Sequence, residues 1–136
     1  AIPIEFTCDG DNDPPIVTID SVPAGVAQFV MVVDDPDAPS ADPFVHWVVY
    51  NIPAETTEFT DADDNLTYGT TDAGVVGWFG PCPPPGDGPH MYVFTLFGLG
   101  QELELEPDLD GRAVREAIDD DIVAETMITA SYERAS

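Results

Sequence analysis

The apolar residues of this chain fall into short runs, cut apart by turns rich in proline and glycine. The strongest run is residues 27–34, where Phe29, Val30, Met31, Val32 and Val33 follow one another without a charge. An unbroken apolar run of that length suits a strand covered on both faces. Residues 44–52 (FVHWVVYNI) and 92–99 (YVFTLFGL) are dense in β-branched and aromatic residues and read as two more strong strands. In residues 122–132, Ala124, Thr126, Ile128, Ala130 and Tyr132 alternate with their neighbours, the period of a further strand. Shorter strands are expected at residues 1–6, where Ile2, Ile4 and Phe6 alternate, and at residues 16–19. Residues 54–73 are polar, acidic and loop-like. A helical period appears once, over residues 111–119, where Val114, Ala117 and Ile118 share a face and Asp108 or Asp110 can cap the start. Short punctuated strands with almost no helix predict an all-β fold: an antiparallel β-sandwich with one short helix near the C-terminus, as a single domain over residues 1–136.

Charge changes the picture of the surface. Twenty-seven acids face three arginines and no lysine, for a formal net charge of −24. The apolar fraction, 43%, is ordinary, so this is not the composition of a disordered chain. The acids spread over loops and strand edges instead of forming one tail, a pattern that resembles proteins of salt-loving archaea. Molar salt shrinks the screening length to about 3 Å, and self-repulsion then becomes tolerable. Nucleic acid is disfavoured as a partner, because phosphate backbones are bound through Lys and Arg. No apolar run is long enough to span a membrane and no signal peptide is visible, so a cytoplasmic protein with at most peripheral membrane contact is expected. The chain starts at Ala1 without a methionine, which leaves room for a preceding segment. Cys8 and Cys82 are far apart and form no CxxC pair. A disulfide between them and two free thiols both remain open.

The chemistry gathers in two loops. Residues 80–92 (GPCPPPGDGPHMY) hold five of the fourteen prolines and one of the two histidines. Proline at that density excludes helix and central strand, so this is a stiff loop that delivers His90 and Tyr92 to the start of a strand. Upstream, residues 34–39 (DDPDAP) close the run 27–34, and His46 opens the next strand. Taken alone, a proline-rich loop only stiffens a turn, and His46 beside Trp47 is an ordinary core histidine. With two such loops, each followed by a histidine, Asp35, Asp37, His46, His90 and Tyr92 can converge at one rim if their strands are neighbours.

The combination VDDPDAPS, HWVVYNIP and GPCPPPGDGPHMYVFTLFGL resembles the phosphatidylethanolamine-binding protein family, in its bacterial and archaeal branch. IPIEFTCDG at residues 2–10 and VPAG at residues 22–25 are similar to that branch too. The resemblance implies an antiparallel β-sandwich with a small pocket for a phosphate-like anion. It assigns to that pocket Asp35 and Asp37, Pro39, His46, Cys82, Pro83, Pro84, His90 and Tyr92. It implies a non-enzymatic binding protein with no cofactor. The partner would be a phosphorylated small molecule, a phospholipid head group, or a phosphorylated or acidic protein segment, in some relatives with modulation of kinases or proteases. The chain departs from the pattern at Met91, where an arginine is common, and at Ile19, where many relatives have tryptophan. The resemblance also places a strand upstream of Ala1.

From the residue types alone, two histidines and a carboxylate can bind an anion, ligate zinc through His46, His90 and Asp35 or Cys82, or serve a hydrolase with histidine as general base. Neither a short HxxxH spacing nor a GxSxG sequence supports the last two. A carboxylate beside an anion is chemically reasonable if Asp35 holds an imidazole tautomer, or accepts from a protonated phosphate oxygen or an amine. The charge pattern generates a direct expectation: the melting temperature rises strongly from dilute buffer to molar KCl. A melting curve insensitive to KCl would sink the salt-adaptation reading.

Overall fold

The computed structural model describes residues 2–20, 22–37, 43–61 and 66–134. These contain seven strands, β1 (Val17–Thr18), β2 (Gln28–Asp35), β3 (Phe44–Pro53), β4 (Glu58–Phe59), β5 (Thr67–Tyr68), β6 (His90–Leu99) and β7 (Ile122–Tyr132), and one α-helix, α1 (Gly111–Ile118). The apolar run of β2 forms the centre of a five-stranded antiparallel sheet in the order β5-β3-β2-β6-β7. Residues 28–33 are all buried, because each face of β2 packs on a separate layer.

Alternate residues of β2 feed two cores. Phe29, Met31 and Val33 join Trp47, Val49, Trp78 and Phe59 on one face, where the small sheet of β1 and β4 contributes the cover. Val30 and Val32 join Val48, Tyr50, Phe97 and Leu99 on the other face, under α1. The helix offers Val114 and Ile118, four residues apart and fully buried. Each such side chain contributes about 1.5–3 kcal/mol by leaving water. Asp110 caps α1 by accepting from the Ala113 N–H at 2.8 Å. The mostly-strand, antiparallel architecture with one short C-terminal helix is thus the one expected.

Two expectations fail locally. Residues 1–6 do not form a strand; Ile4–Phe6 is a 3₁₀ turn, closed by Phe6 N–H to Pro3 O and Thr7 N–H to Ile4 O. Pro3 has no N–H to give a ladder and Ile4 lies 59% exposed, so alternation there did not mark a buried face. Residues 54–73 are not all loop, since β4 and the edge strand β5 lie within them. Two-residue strands carry no periodic signal.

The N-terminal segment and the proline loop hold each other. Cys8 and Cys82 form a disulfide, Cys8 N–H donates to Pro81 O at 3.2 Å, and Trp78 Nε1–H donates to Phe6 O at 3.1 Å. Gly80 N–H donates to Asn12 Oδ1 at 2.9 Å. A Cβ at Gly80 would lie 2.3 Å from Phe6 O, so only glycine fits at this close approach. A disulfide spanning a sequence separation of 74 constrains the unfolded chain strongly. Replacing both cysteines by serine is expected to lower the unfolding free energy by roughly 2–5 kcal/mol. Urea melts of the oxidised protein and the double variant measure this, and coincident midpoints would show that the bridge contributes nothing.

Candidate functional site

Antiparallel pairing on both sides of β2 puts its C-terminal end beside the N-terminal ends of β3 and β6. Asp35, His46, His90 and Tyr92 therefore meet at one end of the sheet, all of them buried. His90 and Tyr92 are two apart on β6 and share a face. His46 reaches that face by a different route. Val33 pairs with Trp47 but Asp34 pairs with Val45, so His46 is an extra residue in the β3 ladder, a β-bulge. Strict alternation from Trp47 would turn His46 toward the α1 face. The bulge turns it back, and its ring lies 5.3 Å from that of Tyr92, edge-on. Phe44 at 5.0 Å and Phe79 at 5.8 Å complete the wall around it.

The two histidines meet different partners, and their pKa values shift in opposite directions. His46 Nδ1 lies 2.6 Å from the Phe79 carbonyl, which can only accept, so Nδ1 holds the hydrogen and Nε2 keeps a lone pair. Burial pushes the His46 pKa below the ordinary histidine value, outweighing the upward pull of that carbonyl. His90 places Nδ1 2.6 Å from Asp35 Oδ2 and Nε2 2.7 Å from Asp87 Oδ2. Two carboxylates on two ring nitrogens describe an imidazolium donating twice. Burial opposes that charge, but the hydrogen bonds to Asp35 and Asp87 outweigh it and the His90 pKa is raised. Burial, with Asp35 and Asp37 nearby, also pushes the Tyr92 phenol above its usual range, so it keeps its O–H.

The remaining residues sort by place. Asp35 Oδ1 accepts from Asp37 N–H at 2.8 Å. Asp37 lies at the exposed rim, where its Oδ2 accepts from Met91 N–H at 2.8 Å and ties the end of β2 to the start of β6. Pro83 is buried and Pro84 is exposed. The Pro84 carbonyl accepts from Asp87 N–H at 3.2 Å and so shapes the turn that carries Asp87. Cys82 is exposed, with its sulfur in the disulfide and 3.7 Å from Arg134 Nη1. Pro39 lies outside the described residues. Asp34 points to the opposite face, where it pairs with Arg115 at 3.1 Å. Sequence reasoning missed Asp87. The one available signal was an acid flanked by glycines three residues before a histidine.

The sequence profile of the phosphatidylethanolamine-binding protein family matches residues 1–133. The chain belongs to that family. It is similar to the UPF0098 protein of Methanothermobacter thermautotrophicus, 36% identical over 140 residues that cover 98% of this chain and 91% of the relative. It is also similar to the UPF0098 protein YbcL of Escherichia coli, 35% identical over 94% of this chain and 75% of the relative. The crystal structure of YbcL, described as a new member of the mammalian phosphatidylethanolamine-binding protein family, superposes with a TM-score of 0.84 at 34% identity, over 94% of this chain and 84% of that one. The CT736 protein of Chlamydia trachomatis superposes with a TM-score of 0.90 at 30% identity, over 98% and 89% of the two chains. In this chain the two buried histidines have different partners, a backbone carbonyl on His46 and the two carboxylates of Asp35 and Asp87 on His90.

These shifts affect stability in opposite directions. The raised pKa of His90 contributes stability that is complete below the ordinary histidine value of about 6.5 and is lost as pH rises through its folded value. The lowered pKa of His46 contributes stability that is present above about 6.5 and is lost as pH falls toward its folded value. In an NMR titration of the ring signals, His46 is expected to titrate below 6.5 and His90 above it. A reversed order would show that the two environments are wrongly assigned.

Proposed function

We propose that this chain is a non-enzymatic binding protein whose pocket holds a phosphate-like group. One observation carries the reading. Asp35 anchors His90 through Nδ1, so Nε2–H is aimed at a fixed point, and a carboxylate oxygen of Asp87 already lies there at 2.7 Å. A donor that is satisfied by one oxyanion is suited to another. Tyr92, held in its O–H form, is a second donor in the same buried corner. The stiff loops fix these groups before a ligand arrives, which lowers the ordering cost of binding.

The local charge shapes the ligand. His90 is one cation among Asp35, Asp37 and Asp87, so a bare dianion meets net repulsion. A phosphate oxygen that keeps a proton, or a phosphate carried beside an amine, fits better, because the carboxylates then accept. A phospholipid head group of the ethanolamine kind has this chemistry, as does a phosphorylated small molecule. A phosphorylated or acidic segment of another protein is a larger ligand for the same donors, and modulation of a kinase or protease would follow from occupying it.

The competing zinc reading has less support. Both ring nitrogens of His90 are engaged by carboxylates and the Cys82 sulfur is in a disulfide, so neither offers a lone pair to a metal. Among the described residues no helix is long and apolar enough to cross a membrane. The disulfide favours an oxidising compartment over the cytoplasm.

The test is a titration with inorganic phosphate and with phosphoethanolamine at constant ionic strength, read on the His46 and His90 ring signals. Both ligands are expected to move the His90 signals, and phosphoethanolamine to do so at lower concentration. His90→Gln, which can still donate to Asp35, is expected to weaken binding at least tenfold. If zinc moves the signals at micromolar concentration and neither phosphate compound does, the proposal is wrong.

A further inference from the structure

The Asp87 carboxylate sits where the proposed ligand would. The two carboxylates on His90 are not equivalent. The Asp35 side chain is 5% exposed and both of its oxygens are engaged, one by His90 and one by Asp37 N–H. The Asp87 side chain is 50% exposed and reaches His90 through one oxygen. It rides on a short turn between Gly86 at φ 77° and Gly88 at φ 82°, backbone conformations that glycine adopts without strain. A Cβ built on Gly88 would meet nothing within 4 Å, so open space surrounds the turn on that side. The turn is held by two backbone hydrogen bonds, Gly86 N–H to Arg134 O at 3.0 Å and Asp87 N–H to Pro84 O at 3.2 Å.

We propose that Asp87 is a displaceable internal competitor: its carboxylate occupies the His90 Nε2 donor, and a ligand oxyanion must take its place. This rests on the reading of the corner as an anion pocket and adds its regulation. The physical asymmetry decides which carboxylate leaves. Asp35 cannot leave without stranding a buried charge, a costly outcome. Asp87 moves into water with little change in hydration. Its like charge then remains within a few ångströms of the bound anion and weakens it further. A ligand with an amine beside its phosphate would turn this repulsion into attraction, since the released carboxylate can accept from the ammonium. The device therefore disfavours free phosphate and other simple anions while admitting a zwitterionic group.

The experiment compares the intact protein with Asp87→Asn, Asp87→Ala and, as a charge-matched control, Glu102→Gln, an exposed acid on a different loop. Two quantities are measured at constant ionic strength: the dissociation constant for inorganic phosphate, and the titration midpoint of His90 without ligand. Both Asp87 variants are expected to bind phosphate about tenfold more tightly and to titrate His90 at lower pH, while Glu102→Gln changes neither. If the intact protein binds phosphate and the Asp87 variants bind it no more tightly, the competitor is refuted and the anion pocket stands. An unmoved His90 midpoint in the variants would refute the Asp87–His90 contact itself. If neither the intact protein nor any variant binds phosphate, the anion pocket falls and the competitor with it.

Discussion

Everything in this protein follows from having to cover β2 on four sides. Its six consecutive buried residues leave no solvent face, so layers must lie above and below it. Its backbone groups must also be paired along both edges, because unpaired buried N–H and C=O groups are costly. β3 and β6 meet that need, and both run antiparallel to β2. The consequence is geometric. Where the apolar run ends in acids, the two neighbours begin, β6 with His90 itself and β3 with His46 as its third residue. The corner is thus a by-product of how a central strand is satisfied.

Within that corner, the placement of charge is asymmetric in a way that burial explains. His46 and His90 are both nearly inaccessible, and their fates diverge because of what each ring nitrogen meets. A carbonyl oxygen on one nitrogen fixes a tautomer without supplying a countercharge. Two carboxylates supply more than one. The result is that burial lowers the pKa of His46 while the two carboxylates raise that of His90, on either side of Tyr92, in a chain whose formal net charge is −24. An imidazolium in such a field is easy to keep protonated and hard to leave unpartnered. This is why an acid from the protein's own loop sits on its outer nitrogen.

The proline loop earns its stiffness from both ends. Prolines restrict the backbone from within. From outside, the disulfide, Asn12 and Phe6 hold its start, and β7 pairing holds the strand it feeds. The glycine-flanked turn at Asp87 is held by fewer partners, the Arg134 and Pro84 carbonyls, and it is the part that touches His90.

Much of the fold was legible from local pattern. The runs that became β2, β3 and β6 are long and strongly apolar, β7 shows its two-residue alternation, and α1 carries its own cap and a four-residue apolar spacing. The resemblance carried by the two loops pointed to Asp35, His46, His90 and Tyr92, and these do converge. The two-residue strands β4 and β5 were not legible, because distant backbone partners decide them, and the 3₁₀ turn at Ile4–Phe6 was not, because its local backbone bonds leave no mark on the apolar alternation. The Cys8–Cys82 bridge was open for the same reason: sequence spacing does not say which segments lie together. His46 points into the corner only because a one-residue bulge against β2 overturns the alternation its own strand dictates. Asp87 reaches His90 only because two glycines let the turn fold back. The sequence by itself determined the long strands, the helix and the two proline-stiffened loops that put Asp35, His46, His90 and Tyr92 near strand ends. The tertiary structure decided the side they face and the charge they carry, because both depend on contacts between residues far apart in the chain.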